Sequence, residues 1–339
     1  MKVSFRKIIT RTLVLNLFLF MIALSLFSMP SCKSSLPRFE ESREKMGTYV
    51  NIIIYTNDWN PREIIDDGFD VIDKLSKISS NYDPESAVSV LNKQGFIDNY
   101  PGELGEIIKL SIDYNEITNG AFDITIDPVL TLWAQGLWQE NTEVQNEAVK
   151  EALKLIGSDK IKITDSRIEL TTEGSSVTLG GVAKGYIVDR VLESLKKAGI
   201  KNALVNAGGD MAAVGAKPDG NLWTVGLENP DNNMEKIADF TFSNMAIATS
   251  GNYYRYFDPK KEVHHIIDPR TGYSANKCIS ATVIAENAVI ADILATSVFV
   301  LGPKEGIELI NSLENTEALI IGADRKIYKS SRLDKYLLK

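Results

Sequence analysis

The stretch VAKGYIVDRVLESLKKAGIKNALVNAG, residues 182–208, passes from one kind of regular structure to the other. Apolar residues recur at helical spacing over most of it, which predicts an amphipathic helix. NALVNAG at its end is a short apolar run typical of a strand. Helices and antiparallel-looking strands alternate in blocks along the rest of the chain, without a strict βαβ series. We therefore predict an α+β fold.

Further elements are predicted on both sides of this stretch. Helices are expected over residues 61–80, 102–120, 143–157, 288–302 and 303–313, and strands over 48–56, 161–171, 221–230, 236–243, 245–251 and, as a terminal hairpin, 317–331. Residues 32–45 are polar and are predicted to be a tether ahead of one folded region, 46–339. A cleft between two lobes of such a region is a common place for a ligand.

Residues 1–31 have the pattern of a lipoprotein-type export signal. MKVSFRKIITR is basic, TLVLNLFLFMIALSLFS is apolar, and MPSC places Cys32 after a small residue. The apolar run is short for a permanent membrane span, which needs about 20 residues. We expect lipidation of Cys32 and a membrane-anchored protein that faces the periplasm or another extracytoplasmic side. The alternative is an uncleaved anchor, since Met29 and Pro30 depart from the usual signal before the cysteine.

Charge and cysteine content disfavour several classes of protein. The chain has a net charge of −8, and removal of residues 1–31 takes away four basic and no acidic residues. A chain this acidic is a poor nucleic-acid binder. Once Cys32 is lipidated, Cys278 stands alone, so we expect no internal disulfide. The sequence also has no Cys and His cluster for a structural zinc ion.

Two glycine-rich segments could bring backbone close to a ligand. LGGVAKGYIVD, residues 179–189, is similar to an anion-cradling turn before a helix, where Lys184 could add a charge. It matches neither of the standard phosphate-loop patterns. In NAGGDMAAVG, residues 206–215, two glycines precede Asp210 and permit close approach. In isolation, each segment is better explained as an ordinary tight turn.

Asp292 and Thr296 lie four residues apart on the predicted helix 288–302, so they share a face. A carboxylate and a hydroxyl there could bind a hard cation such as Mg²⁺, which prefers oxygen ligands. The alternative is a solvated carboxylate and a threonine bonded back to its own helix. The neighbours of Asp292 are apolar, however, and a buried carboxylate needs a partner.

Both histidines of the chain stand together in VHHIIDPRTG, residues 263–272. HHIID is predicted to be a short strand, in which adjacent side chains point to opposite faces. One pocket can therefore take either His264 or His265, and a lone histidine is more often a packed or surface residue than a catalyst. The tyrosines of SGNYYRYF, residues 250–257, could stack a flat ring near a cleft, or they could be ordinary core and strand residues.

Nine ordered motifs between Met46 and Gly302 together resemble the ApbE family, the FAD:protein FMN transferases. They are MGTYVNI, SNYDPESAVSVLN, GAFDITIDPVLTLW, VTLGGVAKGYIVD, ALVNAGGD, WTVGLENP, AIATSGNYYRYF, HHIIDPRTG and ATVIAENAVIADILATSVFVLG. The resemblance implies a two-lobed, T-fold-like α/β architecture with FAD in the cleft between the lobes. It implies that FAD is split at its pyrophosphate and that AMP leaves. FMN would pass to a threonine hydroxyl of a partner, such as a membrane subunit of sodium-pumping NADH:quinone reductase or of an Rnf complex.

The resemblance also assigns roles to residues of this chain. Asp292 and Thr296 match magnesium ligands, and the Gly181 carbonyl would be the third protein ligand. The residues expected to contact FAD are Met46, Tyr82, Ala121, Phe122, Asp123, Thr178, Lys184 and Ile266. Asp210 would orient the nucleotide or its own turn.

His265 matches the histidine of the family's HIIDP motif. It would take the proton from the incoming threonine, and a near-neutral pKa suits it to that role. Asp268 is the alternative base, or an orienting partner of His265. His264 is expected to point away as a bystander.

Two features bear on the alternatives to a transferase. Thr178 stands where many relatives carry an acid, so one contact near the nucleotide is expected to be missing. The acceptor signature Ser-Gly-Ala-Thr does not occur in the chain. This favours the enzyme that makes the modification rather than the protein that receives it. A magnesium-dependent FAD pyrophosphatase would share every motif, because only the nucleophile differs. A lipoprotein that stores flavin without turnover would need neither the Asp292 and Thr296 pair nor His265.

Overall fold

Thirteen strands form three sheets in residues 36–253 and 255–338, the part of the chain that the computed structural model describes. They are β1 (Arg38–Lys45), β2 (Thr48–Tyr55), β3 (Phe96–Asp98), β4 (Ile161–Ile163), β5 (Arg167–Leu170), β6 (Ala203–Ala207), β7 (Asp210–Val214), β8 (Trp223–Asn229), β9 (Asn232–Phe242), β10 (Ala246–Gly251), β11 (Cys278–Ala285), β12 (Glu317–Gly322) and β13 (Ile327–Lys329). The largest sheet has the order β1-β2-β6-β7-β10-β11-β12-β13, and all its neighbouring pairs are antiparallel. A three-stranded sheet, β3-β5-β4, and the hairpin β8-β9 stand beside it.

The α-helices of the described part interleave with these strands. They are α1 (Pro61–Ser79), α2 (Ala87–Gln94), α3 (Gly102–Ile117), α4 (Asp127–Ala134), α5 (Thr142–Leu153), α6 (Ala183–Lys197), α7 (Ala288–Leu301) and α8 (Pro303–Ser312). The α+β prediction is confirmed. None of the helices in the described residues is both long and apolar enough to cross a membrane.

The large sheet buries both of its faces. Along β2, Ile52 and Ile54 point into the core that α1, α6 and α7 cover, whereas Ile53 points into a second core. The hairpin β8-β9 closes that second core with Phe240 and Phe242. Because alternate residues of a strand face opposite sides, a strand buried on both faces is apolar at nearly every position. This explains the uninterrupted apolar run IIIY, residues 52–55, of β2.

The tether prediction is wrong for residues 38–45, which form strand β1. Arg38 to Lys45 pair antiparallel with Tyr55 to Thr48 of β2, without a break in register. The polar sequence of β1 suits an edge strand, because charged side chains discourage pairing with other chains. Helix α1 provides partners for them: the Arg43 guanidinium lies 4.2 Å from the Phe69 ring centroid, and Lys45 pairs with Asp73 at 2.7 Å. Cys32 and the export signal lie outside the described residues.

Candidate active site

Helix α7 carries the predicted metal ligands Asp292 and Thr296 one turn apart. It packs against α6, β10 and β11, and nearly all of its residues are buried. Two side chains cap its N-terminus. Asn287 and Asp189 accept hydrogen bonds of 2.8–3.0 Å from its first three N–H groups. With its free donors satisfied, α7 has a defined start and a defined rotation.

The Asp292 carboxylate is enclosed by protein, at 5% exposure. Its Oδ2 accepts a hydrogen bond from Gly185 N–H at 3.1 Å. Burial, reinforced by the nearby Asp210 carboxylate, raises the pKa of Asp292 to about 7. A bound cation would offset that burial by stabilising the ionised form.

Gly181 and Thr296 approach each other closely. A Cβ atom added at Gly181 would lie 3.4 Å from Thr296 Oγ1 and 3.2 Å from the Phe122 ring, so glycine leaves its backbone free to come near both. Thr296 Oγ1 is also 3.2 Å from Ser250 Oγ of β10. The predicted metal ligands, a carboxylate and a hydroxyl of α7 and the carbonyl of Gly181, thus come from two segments that lie in contact.

This donor set fits Mg²⁺. All three groups offer oxygen, the ligand atom that Mg²⁺ prefers. The described residues contain no group of three or more His, Cys, Asp or Glu that could hold a metal. A cation held by Asp292, Thr296 and the Gly181 carbonyl would have one charged protein ligand and would need further oxygens from substrate or water.

Lys184 and Asp210 form an ion pair across the site, which joins the first turn of α6 to the start of β7. The Asp210 side chain is almost fully buried and that of Lys184 is about one-third exposed. Burial by itself would lower the pKa of Lys184, but the charges of Asp210 and Asp292 raise it overall. Lys184 is therefore a fixed positive charge near the predicted metal ligands. The sequence predicted a site role for each residue but not their pairing.

His265 is half-buried, and its Nδ1 lies 3.2 Å from the carbonyl oxygen of Arg255. A carbonyl only accepts, so Nδ1 carries the proton and Nε2 keeps its lone pair. The pKa of His265 is lowered to about 4, mainly by burial; the hydrogen bond to the Arg255 carbonyl opposes this shift and the charge of Arg255 adds to it. The prediction of a near-neutral pKa is therefore wrong, and the ring is neutral at pH 7.

Asp268 does not orient His265 in this structure. Its carboxylate receives Arg270 Nε and Nη2 at 2.8 Å each and the backbone N–H of Arg270 at 2.9 Å. These bonds organise the turn after the histidines, where Gly272 N–H donates to the Asp268 carbonyl at 2.8 Å. The orienting partner of His265 is the Arg255 carbonyl, which no sequence pattern indicated. The role of Asp268 as an alternative base stays a prediction.

Two asparagines tie together the segments predicted to line FAD. Asn81, next to Tyr82, donates to the Val177 carbonyl at 2.9 Å and accepts from Leu179 N–H at 3.2 Å. Asn92 bonds both backbone groups of Val177 at 2.8 Å. Side-chain amides can make both kinds of bond at once, which suits them to hold a loop without regular structure.

The Thr178 backbone continues this network. Its N–H donates to the Ile124 carbonyl at 2.7 Å, so the run Ala121–Asp123 lies beside the Gly181 turn. Ala121 and Phe122 are buried, whereas the Tyr82 side chain is 88% exposed. The Asp123 carboxylate accepts from Thr125 N–H at 2.8 Å and starts a short 3-10 helix, so this side chain already has a structural partner.

The Met46 turn and the glycine turn meet on the other side of Asp210. Met46 has a positive φ of 55° between β1 and β2. Gly208 N–H donates to the Tyr49 carbonyl at 3.3 Å, and a Cβ at Gly208 would lie 2.4 Å from Thr48 Oγ1. Only glycine allows this approach, which places the Met46 turn next to the Lys184 and Asp210 pair.

The two histidines have different environments, as predicted, but their segment is not a regular strand. His264 is buried at 4% exposure and His265 is half-buried, so their opposite environments agree with the strand argument. The segment makes only isolated bridges, however, at His264 with Tyr256 and at Ile267 with Ser274. Ile266 is buried between them.

A cavity of about 390 Å³ lies elsewhere, between α3, α6 and the start of α7, and no predicted site residue lines it.

The chain is similar in sequence to known proteins over most of its length. The model of the ApbE family matches residues 46–320. The chain is 30% identical over 329 residues to the FAD:protein FMN transferase of Haemophilus influenzae. This match covers 91% of this chain and 94% of that protein. It is 28% identical over 325 residues to the protein of the same name from Vibrio cholerae. That match covers 93% of this chain and 97% of the relative.

Solved structures share its fold. The ApbE protein of Thermotoga maritima superposes with a TM-score of 0.81 at 30% identity and covers 89% of this chain and all of that chain. The flavin transferase ApbE of Vibrio cholerae superposes with a TM-score of 0.77 at 26% identity, with the same coverage.

Proposed function

The chain belongs to the ApbE family, and on that premise we propose that it is an FAD:protein FMN transferase. The observation that carries the proposal is the meeting of the Gly181 turn with Asp292 and Thr296, next to the Lys184 and Asp210 pair. Relatives that match nearly the whole chain bear this name. The site combines two buried acids, Asp210 and Asp292, with one fixed cation and one neutral histidine.

In the proposed reaction, the hydroxyl oxygen of an acceptor threonine attacks the phosphorus of the FMN half of FAD. A new O–P bond forms as the P–O bond to the AMP half breaks. AMP leaves, and the hydroxyl proton passes to a base. Charge neutralisation and positioning dominate transfers of this kind.

Asp292, Thr296 and the Gly181 carbonyl would hold Mg²⁺, which when bound supplies positive charge beside the pyrophosphate. Ser250 limits the rotation of the Thr296 hydroxyl. Lys184 adds a second positive charge, and Asp210 holds it in place. An acidic chain can in this way bind an anionic substrate with only a few placed charges.

His265 would accept the threonine proton at Nε2. Its Nδ1–H is engaged by the Arg255 carbonyl, so the ring has one tautomer and one free lone pair. A base must be in its neutral form to accept a proton, and the lowered pKa of His265 keeps it neutral at physiological pH.

We also propose where the enzyme works and on what. Lipidated at Cys32, it would act at the extracytoplasmic face of a membrane on a threonine of a redox subunit, of the sodium-pumping NADH:quinone reductase or Rnf type. Support for this part comes from the order of basic, apolar and small residues in 1–32.

The test combines the purified protein with FAD, Mg²⁺ and an acceptor domain that carries Ser-Gly-Ala-Thr. Flavin fluorescence that stays on the acceptor after denaturation, with an equal amount of AMP, is the expected result. AMP with free FMN and an unlabelled acceptor would show the pyrophosphatase instead. No AMP under any condition would leave flavin binding alone and end both enzymatic proposals.

An acceptor whose signature threonine is replaced by alanine is the matched control for the attacking group. It should abolish labelling. Persistent labelling of that acceptor would contradict the threonine target while leaving flavin transfer intact.

A further inference from the structure

Both ring nitrogens of His264 make hydrogen bonds within the histidine segment, whereas the sequence predicted a bystander. Its Nε2 lies 2.9 Å from the Ala275 carbonyl oxygen, and its Nδ1 lies 3.2 Å from Ile266 N. The Ser274 hydroxyl bonds the backbone N–H and the carbonyl of His264 at 2.9 Å each. Ring and backbone together join the two sides of the turn 264–275.

The partners of the His264 ring specify one tautomer. The Ala275 carbonyl only accepts, so Nε2 carries the proton. The Ile266 N–H only donates, so Nδ1 offers its lone pair. Both ring nitrogens are thus satisfied in the neutral form, and burial favours that form as well because it lowers the pKa of His264.

The same ring contacts the helix that carries the predicted metal ligands. His264 meets Phe299 of α7 edge-on, with ring centroids 5.8 Å apart and planes at 88°. Phe299 lies three residues after Thr296 and seven after Asp292, so all three side chains share one side of α7. On its other side the ring meets Tyr256 edge-on at 6.3 Å.

We propose that His264 is a positioning residue for the transfer reaction. It holds the backbone of Ile266, and with it the adjacent His265, at a set place relative to Asp292 and Thr296. The inference rests on the proposed function, because it needs His265 as the base. Backbone bonds such as Ala275 N–H to the Ile266 carbonyl hold the far side of the turn. On the near side the N–H of Ile266, the residue after His265, is bonded to His264 Nδ1, so this bond bears directly on where His265 stands.

Two variants separate the ring's bonds from its shape. His264→Phe keeps a flat ring against Phe299 and Tyr256 but removes both hydrogen bonds. His264→Asn can still present an acceptor to Ile266 N–H. We expect His264→Phe to lower the single-turnover transfer rate by about 10- to 100-fold, the scale of a misplaced catalytic group, and His264→Asn to recover part of that loss.

The deciding measurement repeats His264→Phe in a His265→Ala background. If His264 acts through His265, His264→Phe should lower the transfer rate less than about threefold in the His265→Ala background. The effects of residues that work as a unit are not additive. An equal loss in both backgrounds would show a general structural effect and overturn the proposal. An unchanged transfer rate for His264→Phe in the protein that keeps His265 would overturn the proposal as well.

Trp133→Phe is the matched control. It removes the 2.8 Å bond from Trp133 Nε1 to the Gly272 carbonyl, at the far end of the same turn. Transfer should stay within about threefold of the parent, while a loss as large as that of His264→Phe would show that any loosening of the turn suffices. If His265→Ala itself keeps full transfer, the proposed function loses its base, an outcome distinct from failure of His264 alone.

Discussion

The charge balance of the site depends on one residue, Lys184. It stands between Asp210 and Asp292, and both acids raise its pKa against the effect of burial. One lysine cannot neutralise two buried carboxylates and a pyrophosphate together. The surplus negative charge is the physical reason to expect a divalent cation when FAD is bound.

Asp292→Asn should lower magnesium-dependent AMP release at least about 100-fold, because it removes the only charged ligand proposed for the metal. AMP release is measured against Mg²⁺ concentration. Asp324→Asn, on an exposed acid of the β12–β13 turn, is the control and should behave as the parent. A normal magnesium response from Asp292→Asn would remove the proposed metal site.

His265 sets the expected pH dependence. It accepts a proton only above its pKa, and burial lowers that pKa to about 4. The single-turnover transfer rate should therefore stay level from about pH 8 to about pH 5.5 and fall only as the pH nears 4. His265→Ala should lower the rate by about 10²- to 10⁴-fold. The rate is measured at saturating Mg²⁺, which keeps Asp292 ionised, and a fall centred near pH 6.5 would then contradict the lowered pKa of His265.

Sequence could predict residues whose role follows from spacing or from a motif. The helical period alone predicted that Asp292 and Thr296 share one face of a helix, whereas their role as metal ligands was implied by the family resemblance and stays a prediction. The Lys184 and Asp210 pair joins residues 26 positions apart, and the Arg255 carbonyl that orients His265 is a backbone atom with no sequence signature. Strand alternation describes where the His264 side chain points, not what it bonds, so its two ring hydrogen bonds could not be predicted.

At the scale of elements, the contact between α6 and α7 brings the site together. Gly185 of α6 lies against the first turn of α7, where a Cβ would come within 2.3 Å of the Ala288 carbonyl. Nothing larger than glycine fits there without moving one helix. The same glycine donates its N–H to Asp292, so packing of the helices and placement of the carboxylate depend on one position.

Gly185→Ala should therefore lower the free energy of unfolding by about 1–3 kcal/mol, since a buried clash must move the backbone. Urea unfolding measures it. Gly102→Ala is the control: it stands at the first position of α3, has no neighbour within 4 Å and no positive φ. It should be neutral or slightly stabilising. Equal effects would mean that the two helices can separate freely.

Strand β1 shows where reading elements from sequence reaches its limit. The long helices have strong 3.6-residue periods and were predicted. β1 alternates in burial, but nearly all its side chains are charged, so it was read as a tether. β7 and β11 were also missed. Both are interior strands of the large sheet, but β7 directly follows Gly208 and Gly209, and β11 (CISATVIA) mixes polar and apolar residues, so neither has a clear strand pattern.

A variant that lacks residues 36–45 tests the β1 assignment. Removal of the strand would expose the paired edge of β2 and should lower the midpoint of thermal unfolding by about 2–4 °C for each kcal/mol lost. Charge-preserving shuffling of residues 38–45 is the comparison. An unchanged midpoint in the deletion variant would restore the tether interpretation.

At the scale of the whole molecule, substrate and metal should stabilise the protein together. Ligands that bind only the folded state add about 2.7 kcal/mol at 100 times their dissociation constant. We expect FAD with Mg²⁺ to raise the unfolding midpoint more than the sum of the two separate increments. In Asp292→Asn the magnesium-dependent part should vanish, and additive increments in the parent would contradict a shared site.

The β1–β2 hairpin has a further consequence for the molecule. Its Arg38 end receives the chain from upstream, and its Met46 turn lies at the candidate site. Eight residues at about 3.4 Å each separate these ends by roughly 27 Å. A label attached at Leu36 or Pro37, just before the hairpin, would therefore stand about one strand length from the Met46 turn.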